Sequence, residues 1–258
     1  MLKARLLALA VASFVFTSHG SPFADSVVSY DPGVGYVPHF TNAWATLGEP
    51  SRIDPYGEAT DPFDPPYGAN QIVSIGAGGH LVVRFHTPIL NHPQNLQGFD
   101  FTIFGNAGFI ITNDFDPATY AWIGIPATDG SLFGDSTGRT RVSVSLDGIH
   151  FFELNPVFAP AVDSFPPTDG SGNFQVPLAA NLSQADFAGA TLESIRQLYN
   201  GSGGGASYNI SWAIDASGRT VSLRAIRFIR IEVLSGHAEI DALAAVARVQ
   251  RKIEENED

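Results

Sequence analysis

Val142-Ser143-Val144-Ser145-Leu146-Asp147-Gly148-Ile149-His150-Phe151-Phe152 is the stretch on which the fold turns. Valine and serine alternate, so a strand built here buries one face and presents hydroxyls on the other. Asp147-Gly148 is the dipeptide that a tight type I′ turn requires, because both central residues need positive φ. The aromatic run that follows supplies a return strand. The segment predicts a β-hairpin, with Arg141–Leu154 as its extent.

Similar patterns extend outward on both sides. Gln71–Ile75 and His80–His86 read as strands joined by Gly76-Ala77-Gly78-Gly79. In Gly98–Gly105, Phe99, Phe101 and Ile103 alternate against Asp100, Thr102 and Phe104, which predicts another strand. Ser207–Ile214, Thr220–Leu223, Ile226–Leu234 and His237–Val249 complete the set. Leu192, Ile195, Leu198 and Tyr199 fall at helical spacing before Asn200-Gly201, so one short helix is expected over 191–199. Ser183-x-x-Asp186 has the form of a capping box. Residues 21–70 and 155–182 are rich in Pro and Gly, and 106–138 reads as a long excursion. With 26 Gly, 17 Pro and few helical stretches, the chain is expected to be all-β.

The wording of the central hairpin, Ser-x-Asp-Gly-aromatic, resembles that of discoidin-like domains, a branch of the galactose-binding-like jelly rolls. Phe228–Val233 and Ala238–Leu243 resemble their penultimate and last strands. The resemblance implies a jelly-roll β-sandwich, here with one or two short helices. At whole-chain level the sequence resembles a group of exported bacterial proteins of unassigned activity. The matching segments are Tyr30-Asp31-Pro32-Gly33, Ala69–Gly76, Gly98–Phe101, Tyr208–Ala213 and Leu234–Asp241. Many members end in a Pro-Glu-Pro sorting motif, an apolar helix and basic residues. This chain ends on charged residues instead, so secretion or a periplasmic home is expected over surface retention.

Lys3 and Arg5 precede an apolar run from Leu6 to Phe16, followed by Ser18-His19-Gly20. This pattern is expected of a signal peptide over residues 1–20, leaving 21–247 as one β domain and 248–258 as a charged tail. The run is shorter than the roughly 20 residues a membrane helix needs. The chain has no cysteine, which excludes disulfides. Its formal net charge is −12, which repels nucleic acid and suits cations, neutral sugars or basic partners.

Candidate site residues fall into four groups. Loop acids come first: Asp54, Glu58, Asp61 and Asp64 in one Pro-rich loop, and Asp114 and Asp116 in another. They read either as solvated charge or as oxygen ligands for calcium. Glu239 and Asp241, two apart on a strand, share a face, with Ile240, Ala242 and Ala244 on the other. The galactose-binding-like resemblance implies that one of them helps hold a structural calcium; the alternative is the polar outer face of an edge strand. His80, His86 and His92 are evenly spaced, but six residues of strand span roughly 20 Å, too far for one zinc ion. Gly134-Asp135-Ser136-Thr137-Gly138 matches a nucleophile elbow without the strand before it and helix after it that the elbow needs.

Aromatic residues form the fourth group. Phe115, Tyr120 and Trp122 lie in the excursion, and Tyr36, Trp44 and Tyr67 in N-terminal loops, where they suit stacking on sugar rings or plugging the end of the fold. Trp212, inside a strand pattern, is expected in the core. The leading expectation is an exported, non-catalytic module that binds a glycan or cell-surface polymer through loop aromatics. A structural or adhesive envelope protein that binds another protein is the alternative, and a hydrolase the third class.

Overall fold

A computed structural model describes residues 20–134 and 138–249. Residues 1–19 of the expected signal peptide, Ser136 of the elbow-like motif and residues 250–258 of the tail lie outside the described residues. Ten strands form two antiparallel sheets. They are β1 (Ser26–Asp31), β2 (Val73–Gly76), β3 (His80–Leu90), β4 (Phe101–Gly105), β5 (Thr140–Ser145), β6 (Phe152–Leu154), β7 (Ala206–Tyr208), β8 (Ala213–Ile214), β9 (Ala225–Val233) and β10 (His237–Ala245). The six-stranded sheet runs β1-β3-β9-β5-β6-β8 and the four-stranded sheet runs β7-β4-β10-β2. Among the described residues one α-helix, α1 (Leu192–Tyr199), completes the all-β architecture.

Alternation determines which side chains meet. Val142 and Val144 of β5 lie opposite Ile231 and Ile229 of β9, and this row joins Leu81, Val83 and Phe85 of β3. From the other sheet, Ile75, Phe101, Ile103, Tyr208 and Ile240 enter the same buried cluster. Phe101 and Tyr208 stack at 5.1 Å with planes 12° apart. Burying one such side chain is worth about 1.5–3 kcal/mol, so this shared interior is the main source of stability. The outer face of β4 is buried too. Phe104 packs edge-on against Phe174 at 5.2 Å, with Ala244 and Phe23 beside them.

The structure corrects several details of the sequence reading. Asp147-Gly148 does not make a two-residue turn. The strands pair only up to Val144↔Phe152, and Gly148 has positive φ while Asp147 does not. Asp147 instead accepts from the backbone N–H groups of Ile149 and His150, each at 2.8 Å, so its side chain organises a wider loop. Ser207–Ile214 is not one strand. It breaks at a 3₁₀ turn, Ile210–Trp212, and passes from the four-stranded to the six-stranded sheet. Trp212 is half-buried, packed against the core and edge-on to Phe99 at 6.1 Å. Thr220–Leu223 contributes only a bridge between Thr220 and Ile214. The capping box at Ser183 closes a separate 3₁₀ turn, Gln184–Phe187, while α1 is capped by Thr191 and ended by left-handed Asn200.

β10 departs most from expectation. It is an interior strand, and a bulge between Ile240 and Ala242 leaves Asp241 as the extra residue. The bulge flips the alternation. Ile240 and Leu243 therefore face the shared core, while Ala244 faces Phe104 on the opposite side. The expected common face of Ile240 and Ala244 is lost.

Candidate functional site

The excursion after β4 is folded by short ladders. Gly108–Phe109 pairs with Leu132–Phe133 at its base, and Phe115–Asp116 pairs with Ala121–Trp122 at its tip. Asp116 closes the tip turn by accepting from Ala118 N–H at 2.9 Å and Thr119 Oγ1 at 2.8 Å. The tip pairing places Phe115 directly across from Trp122, their rings edge-on at 5.1 Å, with Tyr120 edge-on to Phe115 at 5.5 Å. Three aromatics identified in the sequence thus form one cluster. It is largely solvent-facing: Tyr120 is 86% exposed, Phe115 41% and Trp122 40%.

Two further elements face this tip. In the Pro-rich loop, Asp61 Oδ1 accepts from Phe63 N–H at 2.7 Å and Asp64 N–H at 3.0 Å, which folds Asp61–Asp64 into a tight turn. Asp54 braces the preceding turn through the N–H groups of Tyr56 and Glu58. The second element is the start of α1. Ile195 and Tyr199 bury the inner side of the helix against Phe109, Phe187 and Leu178, with Phe63 packed beside them. A two-residue ladder, Ala127–Thr128 with Ala190–Thr191, ties the helix entry to the excursion.

Together these elements enclose a cleft of about 600 Å³ lined by Asp61, Phe63, Asp64, Trp122, Ile125 and Glu193, among others. Burial pushes the Asp61 carboxyl above the ordinary range, opposed by the Phe63 and Asp64 N–H groups and by Arg196. Burial also raises Asp64, helped by the negative charges of Asp54, Asp61 and Glu58. Among the described residues nothing donates to the Asp64 carboxylate. Tyr67 and Tyr56 form a ring pair at 6.1 Å, and Tyr67 lies within electrostatic reach of Asp54 and Asp64. Arg196 is engaged elsewhere, through a two-pronged pairing with buried Asp169 at 2.9 and 3.2 Å. Such a surface can stack an apolar ring face on Trp122 and accept hydrogen bonds from hydroxyl or ammonium groups at the carboxylates.

The structure therefore gathers Asp54, Asp61, Asp64, Tyr67, Phe115, Tyr120 and Trp122 into one region. Phe63, Ile125 and Glu193 join them without having been singled out. Glu193 follows the Thr191 cap, so its helix position was readable, but not where the helix would point. Trp44 stands apart, 70% exposed on a 3₁₀ turn, Ala43–Thr46.

Glu239 and Asp241 also lie elsewhere, buried in β10. They are not on the outer face of an edge strand. Asp241 accepts from Ser51 N–H and Ser51 Oγ, both at 2.8 Å, and burial pushes it up to about 7. Glu239 Oε2 accepts from Asn106 Nδ2. Beneath them, fully buried Asp163 accepts from the N–H groups of Asn106, Ala107 and Glu239 at 2.8–2.9 Å. Burial raises Asp163 to about 8, against the pull of those donors. His80 contacts Ser29 Oγ, and His92 Nδ1 accepts from Gln94 N–H. Among the described residues, no three His, Asp or Glu side chains are grouped so as to hold a metal ion. No described helix is long and apolar enough to cross a membrane. A second groove, of about 450 Å³ and bordered by Phe99, Phe158 and Trp212, carries no charged side chain.

No protein-family model matches the chain, and no curated protein matches it either.

Proposed function

We propose that the protein is an exported, non-catalytic binding module of the galactose-binding-like jelly-roll kind, which recognises a glycan in the Trp122 cleft. One observation carries the reading: Trp122, braced by Phe115, shares a cleft with two carboxylates, Asp61 and Asp64. An indole offers a flat apolar face to the C–H side of a sugar ring, while carboxylates accept from its hydroxyls. Both sheets share one core, and the penultimate and last strands β9 and β10 lie in different sheets, as such a sandwich requires. Asp61 and Asp64 come from a single turn, so this pair does not flank a bond as the two carboxyls of a glycosidase do. The Leu6–Phe16 run supports export, to the periplasm or beyond the cell.

Pull-down of the purified protein by insoluble and immobilised polysaccharides tests this reading. Retention on at least one glycan, weakened about tenfold or more in Trp122→Ala, is expected. No retention on any polysaccharide would overturn it.

A second reading rests on a different observation. Ile125 in the cleft, and Ile110, Ile123 and Tyr120 on the same excursion, expose apolar surface. An exposed patch of this kind also fits contact with another protein, as in an adhesive envelope component.

A further inference from the structure

We infer that the Trp122 cleft selects glycans carrying free amino groups over neutral or acidic ones; this rests on the glycan-binding reading above. The cleft wall carries Asp61, Asp64 and Glu193 and no basic side chain. Asp54 and Glu58 add negative charge within reach of Asp64. Arg196, whose charge reaches Asp61, does not line the cleft and is paired with Asp169. A neutral sugar donates its hydroxyls to these carboxylates but brings no positive charge to offset them, and an acidic sugar meets like charge. A protonated amine gains in two ways. It pairs with carboxylates that are partly removed from water, where attraction exceeds its value in bulk solvent. It can also lie over the face of Trp122, which attracts cations through its ring quadrupole.

The protein's own donors leave this role open. Asp61 uses Oδ1 for the turn, and among the described residues no protein group donates to its Oδ2 or to Asp64. The raised affinity of both groups for protons reflects burial and crowding of negative charge, which a bound ammonium group would relieve. The exposed rings of Phe115 and Tyr120 continue the aromatic surface on one side, and Tyr56 and Tyr67 on the side of Asp64. The site therefore fits a polymer segment, with the amine of one residue at the carboxylates and neighbouring rings on the flanking aromatics.

Calorimetric titration of the purified protein with four oligosaccharides tests the inference: a β-linked glucosamine oligomer, its N-acetylated form, a glucose oligomer and a galacturonic acid oligomer. The glucosamine oligomer is expected to bind about tenfold or more tightly than the neutral two, and the acidic oligomer most weakly. Asp61→Asn with Asp64→Asn should abolish the preference by weakening the glucosamine oligomer at least about tenfold more than the neutral oligomers, whereas Trp122→Ala should weaken every ligand. The double change alters only a small part of the net charge of −12, so its effect reports on the cleft. Equal or tighter binding of a neutral oligomer would overturn the inference and leave the glycan reading standing. A preference that survives the double substitution would also overturn it, by assigning the preference to overall charge. If none of the four oligomers binds, the inference fails, and the polysaccharide pull-down decides the glycan reading.

Discussion

Two sets of carboxylates do opposite work in this molecule. Asp163, Glu239 and Asp241 lie within or against the four-stranded sheet, and five of their six carboxylate oxygens accept from backbone or side-chain donors. Asp61 and Asp64 line an open cleft, and much of their accepting capacity is directed away from the protein. Both sets are raised by burial, so a shifted proton affinity alone does not separate them. The partners do. A buried carboxylate that satisfies several N–H groups holds the fold together, while a carboxylate facing a cleft without donors is available to a ligand.

The largest effect should come from Asp163. Asp163→Ala strands three N–H groups and is expected to cost about 3–5 kcal/mol in chemical denaturation. Asp163→Asn keeps an acceptor, and Asn tolerates the left-handed backbone at this position (φ 51°), so it should cost markedly less. Gly105 faces the same residue, and a Cβ there would lie 2.3 Å from Asp163 Oδ1 and 2.7 Å from its Cα. Gly105→Ala should therefore mimic the loss. A small cost for Asp163→Ala would break the comparison.

Next in size is the pH dependence. Asp163 and Asp241 are raised to about 8 and about 7, so the folded chain holds protons that the unfolded chain has already released. Their contribution is complete below about pH 4 and is lost as pH rises through about 7–8. Tm should fall between about pH 5.5 and about pH 8.5, and Asp163→Asn with Asp241→Asn should flatten that fall. A Tm that rises over this interval would show that the N–H donors outweigh burial.

The cleft should respond weakly. Asp64→Asn should shift stability by no more than about 0.5 kcal/mol, and Trp122→Ala by about 1 kcal/mol or less, because both sit at a solvent-facing rim. A severe loss at Asp64 would assign it to the structural set.

Smallest of all should be the effect of EDTA, with Tm unchanged to within about 1 °C, since Asp241 is occupied by Ser51. A drop of several degrees would instead mean that a cation holds these acids.

The strand-rich class, most strand positions and the helix over 192–199 were legible in the chain, because period-two and helical spacings record which side of an element meets the core. The sequence also picked out Phe115, Tyr120, Trp122, Asp61 and Asp64, since aromatics and acids in Pro- and Gly-rich loops stand out against a core pattern. Which of them meet follows from the three-dimensional packing alone. The cleft joins residues from three distant segments, and its third side depends on how α1 docks through Ile195 and Tyr199. Only the structure could separate Asp241 from Asp64. A bulge in β10 and the donors of Ser51 convert one acid into a buried strut, and neither leaves a periodic trace in the chain. Local spacing reports the conformation of a segment. Partner choice depends on contacts made far along the sequence, as between Ser51 and Asp241, and those contacts exist only once both sheets have closed on their shared core.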